Sequence, residues 1–435
     1  MTSTAPVGTT GSIPGVPDAV HAQRRVLRVL VASQILSGAG LAAGVTVGAL
    51  LAQDMLGTTS LAGLPSALLT GGSALAAVLV GRVSQARGRR PGLAGGYLGG
   101  AVGSAGVITA AVLDSPVLLF LSLFVYGAGT ATNLQARYAG ADLAQPAHRA
   151  RAVSTVLVAT TLGGVAGPNL AAPTGDFAKT LGMPELAGPF LLSGAAYALA
   201  ALVLAVWLRP DPLPLARTLA AAEQDATVTA TATTATTTAR ADATSGSSPV
   251  RGLRGGVVLG ALVMILTQLV MVAIMTMTPV HMHDHGHGTA ASGLVIAIHI
   301  GAMYLPSPVT GWLVDRYGRI KIAAASGLTL LVAGVVAATA PGDSVALLAL
   351  ALALLGLGWN LGLVSGTAII TDTVPLATRA RTQGMVDVSI AIAGATGGLS
   401  SGLVVAAASY PVLALSGGIV ALAILPAIAA TASNR

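Results

Sequence analysis

The chain has 435 residues, of which 54% are hydrophobic and only 9% are charged, with a formal net charge of +7. A water-soluble domain carries roughly a quarter charged residues, so this composition excludes an ordinary soluble protein. The absence of cysteine excludes disulfides, iron–sulfur clusters and thiolate metal sites.

Twelve apolar segments follow a polar N-terminal tail. Residues 1–24 are rich in Thr, Gly and Pro, and we predict that this tail is disordered. A membrane-spanning helix needs about 20 apolar residues. Segments of this kind lie at residues 27–52, 61–81, 92–113, 116–136, 152–172, 188–208, 256–279, 291–314, 322–340, 344–370, 382–409 and 411–431. We therefore predict an all-α integral membrane protein with an N-terminal six-helix half at 25–209, a C-terminal six-helix half at 255–431 and a tail at 432–435.

Residues 210–254 join the two halves and differ from them in composition. They run from Pro-rich sequence through Ala/Thr repeats into Ser/Gly, so they cannot bury a core, and we predict a flexible cytoplasmic linker. If the N-terminus is cytoplasmic, every one of the 22 Lys and Arg residues except Lys179 lies on the cytoplasmic side. The positive-inside rule then predicts a multi-pass protein of the bacterial inner membrane with both termini in the cytoplasm.

The two halves repeat each other at an offset of 230 residues. A G-x6-G-R pattern follows spans 2 and 8, and a D-x6-R-A-R pattern follows spans 4 and 10. The matched residues are Gly81 and Gly311, Gly88 and Gly318, Arg89 and Arg319, Asp142 and Asp372, Arg149 and Arg379, and Arg151 and Arg381. We predict that these charges gate the cytoplasmic side, with simple topogenic charge as the alternative.

Parallel repeats of six helices are a feature of major facilitator proteins. The stretch G-W-L-V-D-R-Y-G-R at 311–319, which contains Asp315 and Arg316, resembles the signature loop of that superfamily. The loop at 81–90 is a weaker copy, because Gln85 stands where the acid is expected. The resemblance implies two halves that rock against each other around a central site.

Methionine and histidine are concentrated in spans 7 and 8. Six of the ten Met residues lie between positions 264 and 303, and five of the seven His residues lie between 281 and 299. Met271 and Met275 are four residues apart, as are His299 and Met303, so each pair lies on one helical face. We expect spans 7 and 8 to be antiparallel neighbours. Thioether and imidazole groups suit Cu(I) and Cu(II), although a single Met in a membrane helix usually serves packing.

A second group of metal-binding side chains lies between these two spans, on the predicted outer side. The group consists of His281, Met282, His283, Asp284, His285 and His287. We predict an external loop that captures a metal ion. The alternative is a loop that binds metal only incidentally.

The motifs Met271-V-A-I-Met275 and His299-I-G-A-Met303 resemble the paired motifs of the CcoA-like copper transporters. That resemblance implies a copper importer that works by alternating access, with these four residues as ligands and copper as substrate rather than cofactor. Two alternatives remain: a transporter of a small organic molecule, riboflavin-like or drug-like, and a metal sensor that does not transport.

The remaining expectations concern coupling and partners. Asp387 lies about five residues into span 11 and could carry a coupling proton, or it could reach the membrane interface instead. The sequence contains no visible catalytic motif, so we predict that the protein is not an enzyme. We expect a monomer in a lipid bilayer, with no nucleic-acid partner.

Overall fold

The computed structural model describes residues 19–42, 47–56, 64–235 and 249–432. Over these residues the chain is helical and contains no strand, as the sequence predicts. Most of the predicted N-terminal tail and of the C-terminal tail lies outside the described residues.

The helices divide into two sets that are joined by α8. The N-terminal half contains α1 (Ala19–Ala42), α2 (Gly48–Leu56), α3 (Leu64–Arg87), α4 (Arg89–Val112), α5 (Pro116–Ala141), α6 (Arg149–Thr180) and α7 (Gly188–Trp207), and α8 (Pro212–Ala235) follows it. The C-terminal half contains α9 (Pro249–Asp284), α10 (Thr289–Tyr304), α11 (Ser307–Tyr317), α12 (Arg319–Thr339), α13 (Val345–Thr373), α14 (Arg379–Ala407), α15 (Tyr410–Ala421) and α16 (Ile424–Ala432). Each half has its own hydrophobic core.

Turn residues explain why the helices begin and end where they do. The hydroxyl of Ser115 accepts a hydrogen bond from the backbone N–H of Leu118, and Pro116 opens α5. Gly88 and Gly318 separate α3 from α4 and α11 from α12, with φ angles of 100° and 96°. Glycine adopts such positive φ values without strain. The second glycine of the repeated G-x6-G-R pattern is therefore a backbone requirement of the turn.

Ten helical segments of the described residues are long and apolar enough to cross a membrane. The predicted spans 27–52 and 152–172 are not among them. The first falls on α1 and α2, which are separated by residues outside the described part of the chain. The second falls on α6, which is long enough but rich in Thr, Gly and Pro. The predicted span 291–314 is divided into α10 and α11 at Pro306, which has no backbone N–H to continue the helix.

The two halves pack together through helices that are equivalent in the repeat. α3 lies against α14, and α6 lies against α11. A Cβ atom at Gly81 would come 2.9 Å from the carbonyl oxygen of Ala380, and one at Gly311 would come 2.8 Å from that of Ala150. The first glycine of each repeated motif therefore permits the close approach of the halves.

These contacts lie at the end of the bundle that carries most of the Arg residues. We call it the basic end, defined by the turns at 87–89, 142–148, 317–319 and 374–378. The opposite end, called the far end, has the turns at 113–115, 181–187, 285–288 and 340–344. At the far end Lys179 lies 2.6 Å from Glu185, and the hydrogen bond between them raises the pKa of Lys179.

The start of the predicted linker at 210–254 is not flexible, which corrects that prediction. The segment begins with α8, in which Leu213 is fully buried. Asp211 accepts hydrogen bonds from the backbone N–H groups of Arg89 and Arg90, at 2.9 and 2.8 Å. Apolar side chains and an acid at the N-terminus of α4 therefore hold the first turns of α8 on the N-terminal half. The part of the linker between α8 and α9 lies outside the described residues.

Candidate functional site

The four predicted copper ligands lie inside the C-terminal half. Met271 and Met303 are buried members of its hydrophobic core, and Met275 is partly buried and packs against that core. The side chain of His299 is fully buried as well. The role of these four residues as ligands stays a prediction.

His299 has an unusual hydrogen-bonding environment. The side chain is fully buried, and its Nδ1 lies 2.8 Å from the backbone oxygen of Leu352. A carbonyl can only accept, so Nδ1 carries the proton and donates it. Nε2 is also buried, and no described residue forms a hydrogen bond with it. An imidazole held by one nitrogen on a backbone carbonyl, with a free lone pair on the other, is the arrangement of a typical metal-binding histidine.

The two helices that carry these motifs are not direct packing neighbours over most of their length, contrary to the sequence expectation. α10 packs mainly on α13 and makes only a small contact with α9. The approach of α10 to α13 depends on Gly356, where a Cβ would lie 2.6 Å from the backbone oxygen of His299. α9 also packs on α13, so α13 connects the two motifs.

The predicted metal-capture loop is mostly helix. His281 and Met282 lie in the last turn of α9, Asp284 ends it, and Met282 is buried. The rings of His281 and His285 approach to 4.3 Å between centroids. His287 is directed elsewhere, with Nε2 2.8 Å from the backbone oxygen of Gly342. The exposed side chain of His283 has no such contact.

This distribution corrects the idea of one capture site formed by the whole segment. Among the described residues, no three His, Cys, Asp or Glu side chains come together as a group that could hold a metal ion. A helix directs successive side chains about 100° apart, so alternate histidines face different neighbours.

At the basic end, two side chains cap helices of the opposite half. Asp315 accepts hydrogen bonds from the backbone N–H groups of Ala150 and Arg151 at the start of α6, both at 3.1 Å. Gln85 accepts one from the N–H of Ala380 at the start of α14, at 2.8 Å. The two contacts are equivalent in the repeat. Gln85 therefore keeps the capping contact of the missing acid but supplies no negative charge to the helix N-terminus.

Each repeated aspartate pairs with two arginines at this end. Asp142 lies 2.7 Å from Arg89 of its own half and 3.9 Å from Arg379 of the other half, and all three side chains are buried. Arg89 also donates to Gln383 of the other half, at 2.6 Å. These groups join the halves in a buried region.

The second aspartate has the same arrangement. Asp372 contacts Arg319 of its own half and lies 2.5 Å from Arg149 of the other half. These side chains are partly exposed, unlike those around Asp142. The repeat therefore predicts the residue types correctly, and the structure adds that one arginine of each pair comes from across the interface.

Three further arginines of the predicted gate contribute less. Arg151 is half-exposed and lies 3.9 Å from Asp315. Arg316 and Arg381 are exposed and form no ion pair with a described residue. Charges of this kind are the ones that we expect to serve topology.

A buried ion pair between the halves was not predicted from the sequence. Arg137 of α5 donates to Asp387 of α14 at 2.8 Å, and both side chains are buried. Tyr138 donates to the same carboxylate oxygen at 3.1 Å, and Arg137 also donates to Thr367 of α13. The second carboxylate oxygen, Oδ2, has no hydrogen-bond partner among the described residues.

Two other polar contacts escaped the sequence analysis. The indole N–H of Trp359 donates to Gln268 at 2.7 Å, and the ring of Tyr304 lies edge-on to Trp359 at 5.7 Å. The rarity of tryptophan, with three in the chain, was the available signal. Arg217 of α8 donates to the backbone oxygens of Gln85 and Leu376, so α8 contacts both halves.

The chain was compared with known proteins. The family model for the Major Facilitator Superfamily matches residues 29–306 and 260–433. The Bacillus subtilis (strain 168) protein YdeG, described as an uncharacterized MFS-type transporter, is 58% identical over 93% of this chain and 91% of its own length. A second uncharacterized MFS-type transporter of the same organism, YddS, is 51% identical over 93% of this chain and 90% of its own length.

More distant relatives agree in fold. The riboflavin transporter RfnT of Brucella anthropi is 31% identical over 85% of this chain and 86% of its own length. The crystal structure of the human organic anion transporter MFSD10 (TETRAN) has a TM-score of 0.72 at 17% identity and covers 93% of this chain and 99% of its own. The proton:xylose symporter XylE has a TM-score of 0.69 at 17% identity, with coverage of 94% and 95%. The chain is therefore a multi-pass membrane transporter, not an enzyme, and it belongs to the major facilitator superfamily.

Proposed function

We propose that this transporter imports copper ions by alternating access. The observation that supports copper is His299, whose buried Nε2 has no hydrogen-bond partner in the described part of the chain while Nδ1 is held by Leu352. Met271 and Met303 lie in the hydrophobic core of the same half. Imidazole nitrogen and thioether sulfur are donors that suit copper, and a thioether binds without losing a proton.

The proposed route of copper rests on the topology that we propose. The positive-inside rule puts the basic end in the cytoplasm. The caps and ion pairs between the halves lie at this end, so the conformation described here would be closed to the cytoplasm. Copper would enter from the far end, pass the thioether and imidazole groups of the C-terminal half, and leave when the basic end opens.

We assign the coupling proton to Asp387. Separating the halves would break its ion pair with Arg137 and leave two uncompensated charges in a buried site, which is strongly unfavourable. A proton on Oδ2 would neutralise Asp387 and remove its attraction for Arg137, which keeps its contacts with Tyr138 and the backbone oxygen of Leu134 in its own half. After Arg137, Arg89 is the other charged group whose electrostatic interaction reaches Asp387. The membrane-spanning parts of α3, α9 and α13, at 64–81, 255–280 and 345–371, contain no charged residue that could act on it.

The copper proposal predicts that uptake depends on donor atoms rather than on volume. Met271→Leu and His299→Gln should each lower the uptake of radiolabelled copper into proteoliposomes by about tenfold or more, because each removes one of few ligands. Met264→Leu is the matched control, because Met264 is equally buried in the same core but lies outside the motif. Leu and Met have similar volumes, so neither exchange should unfold the protein.

Three outcomes separate the alternatives. Equal uptake by the wild type, Met271→Leu and His299→Gln would contradict the copper site. Copper binding without any uptake would favour a sensor. Absence of copper uptake together with uptake of an organic solute would favour the second candidate.

That second candidate is the import of a planar organic molecule. Two observations favour it: the riboflavin transporter of Brucella anthropi among the relatives, and the contact between Trp359, Tyr304 and Gln268. Aromatic faces bind planar rings, and an amide adds hydrogen bonds. Uptake of radiolabelled riboflavin that falls with Trp359→Ala and is unchanged by Met271→Leu would support this candidate over copper.

A further inference from the structure

We infer that His281 and His285 form a two-imidazole binding site for a borderline divalent metal ion at the far end of α9. This inference needs metal binding only, so it is independent of whether copper is transported. It also assigns metal binding to two residues of the histidine-rich segment at 281–287, and not to the whole segment.

The two rings are held together by the helix. His281 lies in the last turn of α9 and His285 follows four residues later, so both project from one face. Their centroids are 4.3 Å apart, and the ring planes are tilted by 55°. The backbone continues the turn there, because the N–H of His285 donates to the oxygen of Met282. The pair is therefore arranged by backbone structure and needs no loop closure.

The separation of the rings matches that of two ligands on one metal ion. An imidazole nitrogen binds Zn²⁺ at about 2.0–2.1 Å, which puts each ring centroid about 3.2 Å from the metal. Two such rings would have centroids roughly 4.5 Å apart at the right angle of a square-planar Cu²⁺ or Ni²⁺ site, and roughly 5.2 Å apart at the tetrahedral angle of Zn²⁺. The observed separation of 4.3 Å is close to the square-planar value. Small rotations of the side chains would suffice for binding.

Both rings keep a nitrogen for a metal ion. Nδ1 of His285 lies 2.8 Å from the backbone oxygen of His281, so it donates its proton there. The lone pair of Nε2 has no hydrogen bond to a described residue and lies at the edge of the ring that packs on Gly342. The ring of His281 has no hydrogen bond to a described residue, and it stacks on Tyr410 at 4.3 Å with an interplanar angle of 14°. Tyr410 therefore fixes the plane of one ligand, and the backbone fixes the other.

The other two histidines of the segment serve as internal controls. His287 Nε2 is occupied by the carbonyl of Gly342 at 2.8 Å. His283 lies two residues after His281, which turns it by about 200° to the other side of the helix. Neither can complete the site in this conformation.

The donor set defines the ligand class. Two neutral imidazoles suit Cu²⁺, Ni²⁺ and Zn²⁺, and they lack the thiolate or thioether donors that favour Cu⁺. Water would fill the remaining coordination positions, so bound metal would exchange readily. The site therefore differs in metal preference from the methionine-rich core.

The test uses the full-length protein in lipid nanodiscs and Cu²⁺ as the probe, with electron paramagnetic resonance and calorimetry as readouts. The wild type should bind one Cu²⁺ with a nitrogen-coordinated spectrum. His281→Gln and His285→Gln should each weaken this binding by about tenfold or more. His283→Gln and His287→Gln should leave it unchanged.

Equal weakening by all four substitutions, or loss only with His283→Gln or His287→Gln, would overturn the inference. Met271→Leu separates the inference from the transport proposal, because it should lower copper uptake without changing this signal. One outcome supports the site and contradicts copper transport. In that outcome the wild type transports no copper, and Cu²⁺ binding is lost only in the His281→Gln and His285→Gln variants. Thermal unfolding of each variant, followed in the same nanodiscs, verifies that the substituted protein is folded.

Discussion

Single side chains at the contact between the halves decide what must change when the transporter opens. Arg137 and Asp387 are both buried and belong to different halves. Breaking such a pair by removing one partner costs about 3–5 kcal/mol, which is comparable to the free-energy gap between conformations of a protein. The proposed proton removes the charge of Asp387, and Tyr138 of the same half stays in contact with Arg137.

Asp387→Asn should separate transport from its driving force. The amide resembles a protonated carboxyl but cannot release a proton, so the variant should still exchange labelled substrate at equal concentrations. Accumulation driven by an imposed pH gradient in proteoliposomes should fall by about tenfold or more. Asp114→Asn, an exposed far-end residue with a φ of 48° that Asn adopts easily, is the control. Gradient-driven accumulation that persists in Asp387→Asn would contradict the assignment.

Sequence analysis identified most polar residues of the site but not their partners. The sequence indicates Asp387 because a carboxylate inside a span is rare, and it indicates Met271 and His299 because Met and His are concentrated in spans 7 and 8. The partner Arg137 was missed, because a single sequence does not show how the halves are aligned in space. The burial of His299 against Leu352 likewise depends on α13, which approaches α10 from a distant part of the chain.

Whole helices are fixed at the basic end by capping across the halves. Asp315 brings a charge to the N-terminus of α6, whereas Gln85 brings only a dipole to that of α14. A carboxylate near a helix N-terminus contributes about 0.3–1 kcal/mol more than a neutral group. The two equivalent contacts are therefore of unequal strength.

Removing the negative charge at position 315 and adding one at position 85 should change how often the basic end opens, in opposite directions. Asp315→Asn should open the basic end more often, and Gln85→Glu should open it less often, each by roughly two- to fivefold. The rate of maleimide labelling of Ser154→Cys measures this, because Ser154 is buried beside Gly311 in the closed end and the chain has no native cysteine. Labelling rates that move in the same direction for both substitutions would refute this interpretation.

The sequence predicted most helices well, and its errors have physical causes. The long apolar runs define α13 and α14 almost completely. The prediction missed the division of span 8 at Pro306, because apolarity alone does not show whether a helix continues. It missed α8 because Ala-rich sequence is compatible with both a linker and a helix, and Asp211 decides between them through contacts with α4.

On the scale of the whole molecule, the orientation in the membrane remains a prediction of charge placement. Single cysteines test it directly. Asp343→Cys, exposed at the far end, should react with a membrane-impermeant maleimide on intact cells, whereas Glu223→Cys, exposed on α8, should react only after permeabilisation. Reaction of Glu223→Cys on intact cells would reverse the topology and, with it, the proposed direction of transport.

The two aspartates that join the halves differ in their access to water. The side chain of Asp142 is 0% exposed and that of its partner Arg89 is 1% exposed, whereas Asp372 is 25% exposed and Arg149 is 18% exposed. Dissolved salt weakens the attraction between exposed charges, with a screening length of about 8 Å at physiological ionic strength. It weakens the attraction between buried charges much less. Raising the salt concentration should thus loosen the α6–α11 side of the closure while the α3–α14 side holds. The halves would then separate first on the α6–α11 side, and the ionic strength around the basic end would influence how often that end opens.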